Sequence, residues 1–271
     1  MVINTNTSAL NAATQLDVNS SNLSTSLSRL SSGSQIVAPS DDPAGLAVSM
    51  KLSAQVARTS AALDNVNNAI SFNQTQDGYL QQVNTALSRM SELAVQAQDV
   101  TKTTTDRALY QQEYSSLGAY VNNVSTQSFN GVSLFNGSTL SVTTDGQGGG
   151  TNSIYSNTGV DLTGASYTTA TSDDITAVSN AVTAVTDTQN AIQKLASDRA
   201  SIGANEESLG YYANQLSSLS NNLQAATSRI TDVDVATEST NYAKENVLVQ
   251  SSTAMLAQAN SMPDSLLKLM S

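Results

Sequence analysis

A stripe of apolar and small residues, spaced three or four positions apart, runs through residues 173–230. This spacing is typical of one buried face of an α-helix, and it continues far beyond the length of an ordinary globular helix. At about 1.5 Å per residue the helix would be roughly 80 Å long, so its stripe needs a partner of similar length. The stripe consists of Ile175, Val178, Val182, Val185, Gln189, Ile192, Ala196, Arg199, Ile202, Glu206, Leu209, Ala213, Leu216, Leu219, Leu223, Ala226 and Ile230.

A second stripe of similar length lies in residues 43–99, most clearly at Leu80, Val83, Leu87, Met90, Ala94 and Ala97. Two long stripes, one early and one late in the chain, predict a mainly α fold: an elongated antiparallel rod bundle of long helices. A third, shorter helix is predicted after the polar residues 102–105, with Thr105 as its N-cap. Its stripe is Tyr110, Tyr114, Leu117, Val121 and Val124.

The sequence changes character after Phe129, where the turn dipeptides Asn130-Gly131 and Asn136-Gly137 lie among alternating apolar residues. Asn-Gly is typical of two-residue hairpin turns, so a small β-hairpin region is predicted. Residues 144–172 are rich in Gly, Ser and Thr, and we expect them to form a surface excursion outside every packed seam. The predicted rod domain is therefore residues 44–230, with the hairpin and excursion at about 129–172.

The two ends of the chain carry narrow apolar seams in polar surroundings. The first contains Leu16, Leu23, Leu27 and Leu30, and the second contains Tyr242, Val249 and Leu256 beside a row of Leu248, Met255 and Met262, followed by Leu266 and Leu269. We expect the seams to pair as a coiled-coil arm domain, residues 1–43 with 231–271, and other copies of the chain to cover what the pairing leaves exposed. Because a polar helix of this length is marginal alone, we expect the arms to be mobile until covered.

Asp41 and Asp42 come directly before Pro43. An acidic residue followed by proline is typical of a helix start. Both aspartates are therefore predicted to cap the helix that begins near Pro43 rather than to bind an ion.

The composition argues against most catalytic and nucleic-acid functions. The formal net charge is −11 with 11 basic residues, which disfavours nucleic acid and anionic membranes as partners. The absence of His and Cys removes thiolate nucleophiles, imidazole bases and the usual zinc ligands. Tyr211 and Tyr212 beside Glu206 and Glu207 are better explained by packing and a solvated face, and Gly148–Gly150 lack the Lys-Ser/Thr of a phosphate loop. We predict no enzyme, no cofactor and no metal site.

The N-terminus has no basic region followed by an apolar one, so we expect no cleavable secretory signal, and no run of residues is apolar enough to span a bilayer, so we expect no membrane insertion.

Four blocks of the sequence resemble bacterial flagellin. They are LSRLSSGSQIVAPSDDPAG (27–45), SRMSELAVQ (88–96), SFNGV (128–132) and, as one C-terminal block, residues 225–238 with 249–269, ending LAQANSMPDSLLKL. The likeness covers roughly residues 1–137 and 174–271 in matching order. Larger flagellins insert outer domains where this chain has only residues 138–172, so it resembles a short form with a minimal central region.

The resemblance implies a structural subunit that self-assembles into the flagellar filament for swimming motility, with the terminal arms as its inner tube. It also implies export through the flagellar type III apparatus without signal cleavage, an extracellular location, a cytoplasmic export chaperone, and contacts with flagellar cap and hook-junction proteins. The positions that resemble those used in Toll-like innate receptor recognition are Arg89, Leu93 and Glu113. Arg89 and Leu93 share one helix face, which need not be the face turned to the bundle core, and the resemblance implies a patch of these residues that is exposed in the isolated chain and buried between subunits.

Two alternatives remain open at this point. A hook–filament junction protein shares the terminal arms, although the LAQAN-x-x-P-x-x-LLKL ending argues against it. An unrelated coiled-coil tether would share the long helices but not the four blocks.

Overall fold

The computed structural model describes residues 6–146 and 154–270, with side chains as far as Met262. These residues form six helices and four short strands: α1 (Thr7–Ser32), α2 (Pro43–Ala97), α3 (Thr104–Ser125), β1 (Ser128–Phe129), β2 (Val132–Ser133), β3 (Leu140–Thr143), β4 (Ile154–Asn157), α4 (Ala165–Ser172), α5 (Val178–Thr231) and α6 (Val235–Met270). They divide into two compact units: unit 1 within residues 1–54 and 222–271, and unit 2 within residues 55–221. The predicted mainly α class with a small β region is confirmed.

In unit 2, α2 and α5 run antiparallel. Arg199 Nε donates to Asp77 Oδ1 at 2.7 Å, and Gln98 Nε2 donates to the Ala181 carbonyl at 3.3 Å. Later positions on the α2 side therefore pair with earlier positions of α5, as expected for antiparallel helices. The two long predicted helices thus pack along each other within this unit.

The face that α5 buries differs from the predicted stripe in its first half. Val182 is 52% exposed, and Gln189 and Ala196 are also exposed. The buried residues are instead Ala181, Ala184, Thr188, Ala191, Leu195 and Asp198. Val185 and Ile192 of the predicted stripe are partly buried against the same core, so the buried face of this half is shifted to one side of the predicted stripe and is lined mainly by small residues. From Ile202 to Leu216 the predicted stripe and the buried face share Ile202, Leu209 and Leu216.

The helix starts agree only partly with the predicted caps. Asp42 Oδ1 accepts a hydrogen bond from the Gly45 amide at 2.9 Å, as expected for the cap of α2. Asp41 instead accepts from the amides of Val37 and Ala38 and stabilises the preceding loop. The predicted N-cap Thr105 is wrong: α3 begins two residues earlier, because Thr103 and Asp106 form a capping box.

The β region begins with the predicted hairpin. β1 pairs with β2 in antiparallel register, and Asn130 and Gly131 both have positive φ, of 50° and 81°, as a type I′ turn requires. β3 pairs antiparallel with β4.

The expectation of an unpacked excursion at 144–172 is wrong for residues 154–172, while residues 147–153 lie outside the described part of the chain. β4 and α4 lie there, and Val160, Leu162, Tyr167 and Ala170 belong to the main core of unit 2. The Tyr114 hydroxyl also donates to the Ala170 carbonyl at 2.7 Å, which holds α4 against α3. These apolar residues make 154–172 part of the folded unit.

Candidate interaction surfaces

Unit 1 is organised around the antiparallel pairing of α1 with α6. Asn6 Nδ2 donates to the Ala259 carbonyl and Asn19 Nδ2 donates to Ser252 Oγ, both at 2.8 Å. Beyond α1, the Gln35 amide donates to the Thr231 carbonyl at 2.7 Å. These contacts fix the register, and they bring together the N- and C-terminal seams identified in the sequence.

The seam follows a heptad pattern, but on each helix one of its two rows is mainly polar. On α1, Leu16, Leu23 and Leu30 are partly buried, while the alternate row consists of the buried Asn19 and Ser26. On α6 the partly buried row is Tyr242, Val249 and Leu256, and the other row is Glu238, Glu245, Ser252 and Ala259. The carboxylates add polar atoms without partners, because Glu238 Oε1 and Glu245 Oε2 are withdrawn from solvent with no hydrogen bond. This is a thin and polar interface.

Several apolar side chains of the arms lie outside this seam. Leu27, expected within it, is 54% exposed, because the heptad places Ser26 at the inward position. On α6, Leu248, Met255 and Met262 form an exposed row beside the seam, with Met255 65% exposed. Leu266 and Leu269 lie on α6, in the segment whose side chains are not described.

The structure brings Arg89 and Glu113 together in unit 2. Arg89 Nε donates to Glu113 Oε1 at 2.8 Å, Nη2 donates to Oε2 at 3.3 Å, and Nη1 donates to Glu92 at 3.0 Å. The hydrogen bonds with Glu113 raise the pKa of Arg89 and lower that of Glu113. Both side chains remain exposed, so the pair presents a fixed, solvent-facing arrangement of charge between α2 and α3.

Leu93 does not join this exposed pair. Its side chain is 1% exposed and belongs to the core, so the expectation that it is exposed in the isolated chain is wrong. α2 buries a wider stripe than predicted, in which Ala86 and Leu93 lie beside Leu87 and Met90. A helix that packs against several elements buries a broad face, and here α3 and α5 both contribute to the same core.

The other candidates have structural roles. Tyr211 is 67% exposed and its hydroxyl donates to Glu207 at 2.8 Å on the helix surface, while Tyr212 packs beside Tyr155. Gly148–Gly150 lie outside the described residues. Within the described ranges no group of His, Cys, Asp or Glu could hold a metal ion, and no helix has the length and hydrophobicity needed to cross a membrane.

Buried polar contacts were the features that periodicity did not indicate. The Tyr167 hydroxyl donates to Asp198 at 2.7 Å, and Lys194 bonds the other oxygen of the same carboxylate. Burial, followed by this bond to Asp198, raises the pKa of Tyr167. On the arms, Asn19 and Ser252 could have been found from the heptad, since each lies three or four residues from seam residues of its own helix.

Comparison with protein families is decisive. The family described as "Bacterial flagellin N-terminal helical region" matches residues 3–139, and "Bacterial flagellin C-terminal helical region" matches residues 182–270. The chain belongs to the bacterial flagellin family. It is a structural subunit of the flagellar filament, and nothing in the comparisons favours a junction protein or an unrelated tether.

Individual flagellins agree with this assignment. Flagellin of Halalkalibacterium halodurans is 36% identical over 272 residues, covering 100% of both chains. The flagellar filament core protein flaB2 of Brachyspira hyodysenteriae is 34% identical over 285 residues, covering 99% of each. The crystal structure of Bacillus cereus flagellin is similar with a TM-score of 0.50 and 27% identity, covering 60% of this chain and 94% of that one.

Proposed function

We propose that this flagellin polymerises mainly through its terminal arms. In this proposal residues 1–43 with 231–271 form the inner tube of the filament, and residues 44–230 form the layer of long helices around it. Contacts that join different faces of successive copies generate an open helical polymer where the rotation between copies does not close a ring.

The observation that carries this proposal is the difference between the interiors of the two units. The largest fully buried side chains of the described residues all lie between Leu80 and Ile202, inside unit 2. On α1 the buried residues are Asn19 and Ser26, both polar. An arm interface with so little buried apolar surface gains little free energy alone, so its exposed leucines and methionines favour cover from other copies.

Placing a charge on the exposed row of α6 tests this directly. Met255→Glu should raise the critical concentration for polymerisation about tenfold or more, because a buried intersubunit anchor is replaced by a desolvated carboxylate. Gln250→Glu is the matched control, since it adds the same charge to an exposed position on another face of α6. Electron microscopy and sedimentation measure filaments and residual monomer. Equal effects of the two substitutions would contradict the assignment of the row to an interface.

We further propose that the exposed apolar row of α6 is the surface that a cytoplasmic export chaperone covers before assembly. Flagellar cap and hook-junction proteins would then contact the same arms at the two ends of the filament. The protein is exported without cleavage and resides outside the cell in the filament. Intact mass measurement of filament protein should give the mass of the uncleaved chain, apart from any N-terminal methionine removal.

We propose that the exposed Arg89–Glu113 pair contacts a Toll-like innate receptor. Leu93, the third residue of the predicted patch, is excluded because it is buried. A double substitution to alanine should reduce receptor signalling by the monomer without a change in net charge, and should leave melting almost unchanged because the pair is exposed. Lys51→Ala with Asp64→Ala removes two exposed charges of opposite sign elsewhere on α2 and serves as the control. Signalling that falls equally in both would argue against a specific site.

The family is structural, and we propose no enzymatic activity, cofactor, nucleic-acid partner or membrane insertion for this chain.

A further inference from the structure

A pocket of about 450 Å³ in unit 1 contains two arginines that make no side-chain hydrogen bond or ion pair with any described residue. It lies between the loop before α2, the first turns of α2, and the last turns of α1 and α5, where Arg29 and Arg229 enter it. Among the described residues neither guanidinium group makes an ion pair or a hydrogen bond. The chain has only 11 basic residues against 22 acidic ones, so two unpaired arginines in one pocket are unexpected.

Arg29 makes this pocket more than an ordinary solvated surface. Its Nε is withdrawn from solvent and has no acceptor. A buried donor on a charged group without an acceptor is energetically unfavourable. The site therefore has an unsatisfied donor that an incoming acceptor could satisfy.

The two aspartates of the pocket do not fill this role: each bonds backbone amides through one carboxylate oxygen, and neither accepts a hydrogen bond from Arg29 or Arg229. Asp41 Oδ2 accepts from the Val37 and Ala38 amides at 3.0 Å, and Asp42 Oδ1 accepts from the Gly45 amide at 2.9 Å. The backbone bonds to Ala38 and Val37 lower the pKa of Asp41, and the nearby Arg29 adds a smaller effect in the same direction. The four charged groups cancel formally, so a ligand is favoured by directed hydrogen bonds rather than by a long-range field.

We propose that this pocket receives an aspartate or glutamate side chain from a neighbouring copy of the chain, which pairs with Arg29 and Arg229. The inference rests on the proposed polymerisation. A carboxylate matches the planar donor fork of arginine. The occupant is a second copy because each copy carries 22 acidic against 11 basic residues, so carboxylates outnumber the basic groups that could pair with them on every neighbour. Arg29 and Arg229 are then the receiving half of an intersubunit ion pair.

Polymerisation of single-residue variants of the full chain tests this. Arg29→Gln and Arg229→Gln should each raise the critical concentration about tenfold, while monomer melting stays at the wild-type value or rises. Arg29→Lys, which keeps the charge but loses the fork, should recover only part of the loss. Lys51→Gln, at an exposed position of unit 1, is the control for loss of a positive charge and should change the critical concentration less than about twofold.

Three results would overturn the proposal. The first is wild-type polymerisation of Arg29→Gln, and the second is an equal loss in Lys51→Gln. The third is that phosphate, added at constant ionic strength, stabilises the wild-type monomer but not Arg29→Gln, because the ligand would then be a free anion. Failure of the wild-type chain itself to form filaments would instead refute the proposed function, so the two failures can be told apart.

Discussion

Leu93 belongs to the core cluster that also contains Leu87, Met90 and Ala94, and only 1% of its surface is exposed. One turn away, Arg89 is exposed and paired with Glu113. Two positions that share a helix face by spacing therefore have opposite environments, because the boundary of the buried stripe passes between them. At the scale of single residues, a substitution of Leu93 should thus change stability, whereas a substitution of Arg89 should change the exposed surface with little effect on stability.

Leu93→Ala should lower the free energy of unfolding of unit 2 by about 2–5 kcal/mol, since it removes buried methyl groups and leaves a cavity. Leu109→Ala on α3 is the matched control, because Leu109 is 64% exposed. Urea denaturation of the monomer measures both. Equal midpoints for the two variants would place Leu93 outside the core.

Asp173 should make unit 2 less stable as pH rises. Burial, with a smaller contribution from Asp187, raises the pKa of Asp173 to about 6 from 3.8, and its Oδ2 has no hydrogen-bond partner. Between these values the folded chain binds more protons than the unfolded chain, so the stability contribution present below pH 3.8 is lost as pH approaches about 6. Asp173→Asn should remove this decline, and its stability relative to wild type should be greater at pH 7 than at pH 4.

The neighbouring Asp174 gives the opposite control for that measurement. Hydrogen bonds from Thr176, first from its backbone amide and then from its side chain, lower the pKa of Asp174. Its contribution to the stability of unit 2 is therefore present above the pKa that Asp174 has in the unfolded chain, and this contribution is lost as pH falls. Asp174→Asn should reduce stability at pH 7, and melting curves from pH 4 to 7 should separate the two variants. The same sign for both would contradict the assignment.

At the scale of elements, the segment containing α4 shows how a short helix can become part of a core built by long ones. Gly118 of α3 lies so close to α4 that an added Cβ would be 2.6 Å from the Thr171 carbonyl oxygen. Glycine is required at this point because the two backbones approach too closely for a side chain. α4 also contacts α5. There the Tyr167 hydroxyl donates to Asp198 and holds the two helices together.

Deletion of residues 158–172 should therefore unfold unit 2 or lower its melting temperature strongly, because it removes Val160, Leu162, Tyr167 and Ala170 from the core. The control is a Gly/Ser replacement confined to residues 147–153, for which we expect near wild-type melting from composition. Circular dichroism melting of the two proteins is the measurement. A deletion variant that melts like the replacement would show that α4 is dispensable.

At the scale of the whole chain, the two units differ in how much apolar surface supports them. Unit 2 contains Tyr114, Tyr167 and Phe135 fully buried, whereas the arm seam alternates partly buried leucines with polar residues. Local opening costs least where few apolar contacts hold an element. Unit 1 should consequently open before unit 2 does.

Hydrogen exchange should reveal this order. In the monomer, amides of residues 7–32 and 235–262 should exchange faster than those of 80–97 and 188–209, and in filaments the two sets should be similarly protected, because neighbouring copies cover the arms. Arms as protected as unit 2 in the monomer would contradict the expectation that they are mobile until covered.

Periodicity was sufficient to predict the long helices, the third helix and the Asn130-Gly131 hairpin, since each depends on local spacing or turn chemistry. It failed in part for the first half of α5, where Ala181 and Ala184 are buried and Val182 is exposed, because the face that a helix buries depends on its neighbours and not on one sequence window alone. It also missed α4, which at eight residues is too short to show a stripe. The unpaired Arg29 and Arg229 depend on contacts distant in sequence, which spacing does not describe.

The pairing of α1 with α6 joins residues that are 233 and 253 positions apart. Contacts at such separation form late, because a long loop must close before they contribute. During synthesis α1 leaves the ribosome first and has no intramolecular partner until α6 has followed. Throughout that interval its exposed seam alternates leucine with Asn19 and Ser26 rather than forming a continuous apolar ridge. The polarity that weakens the finished seam thus lowers the risk of aggregation for the nascent chain.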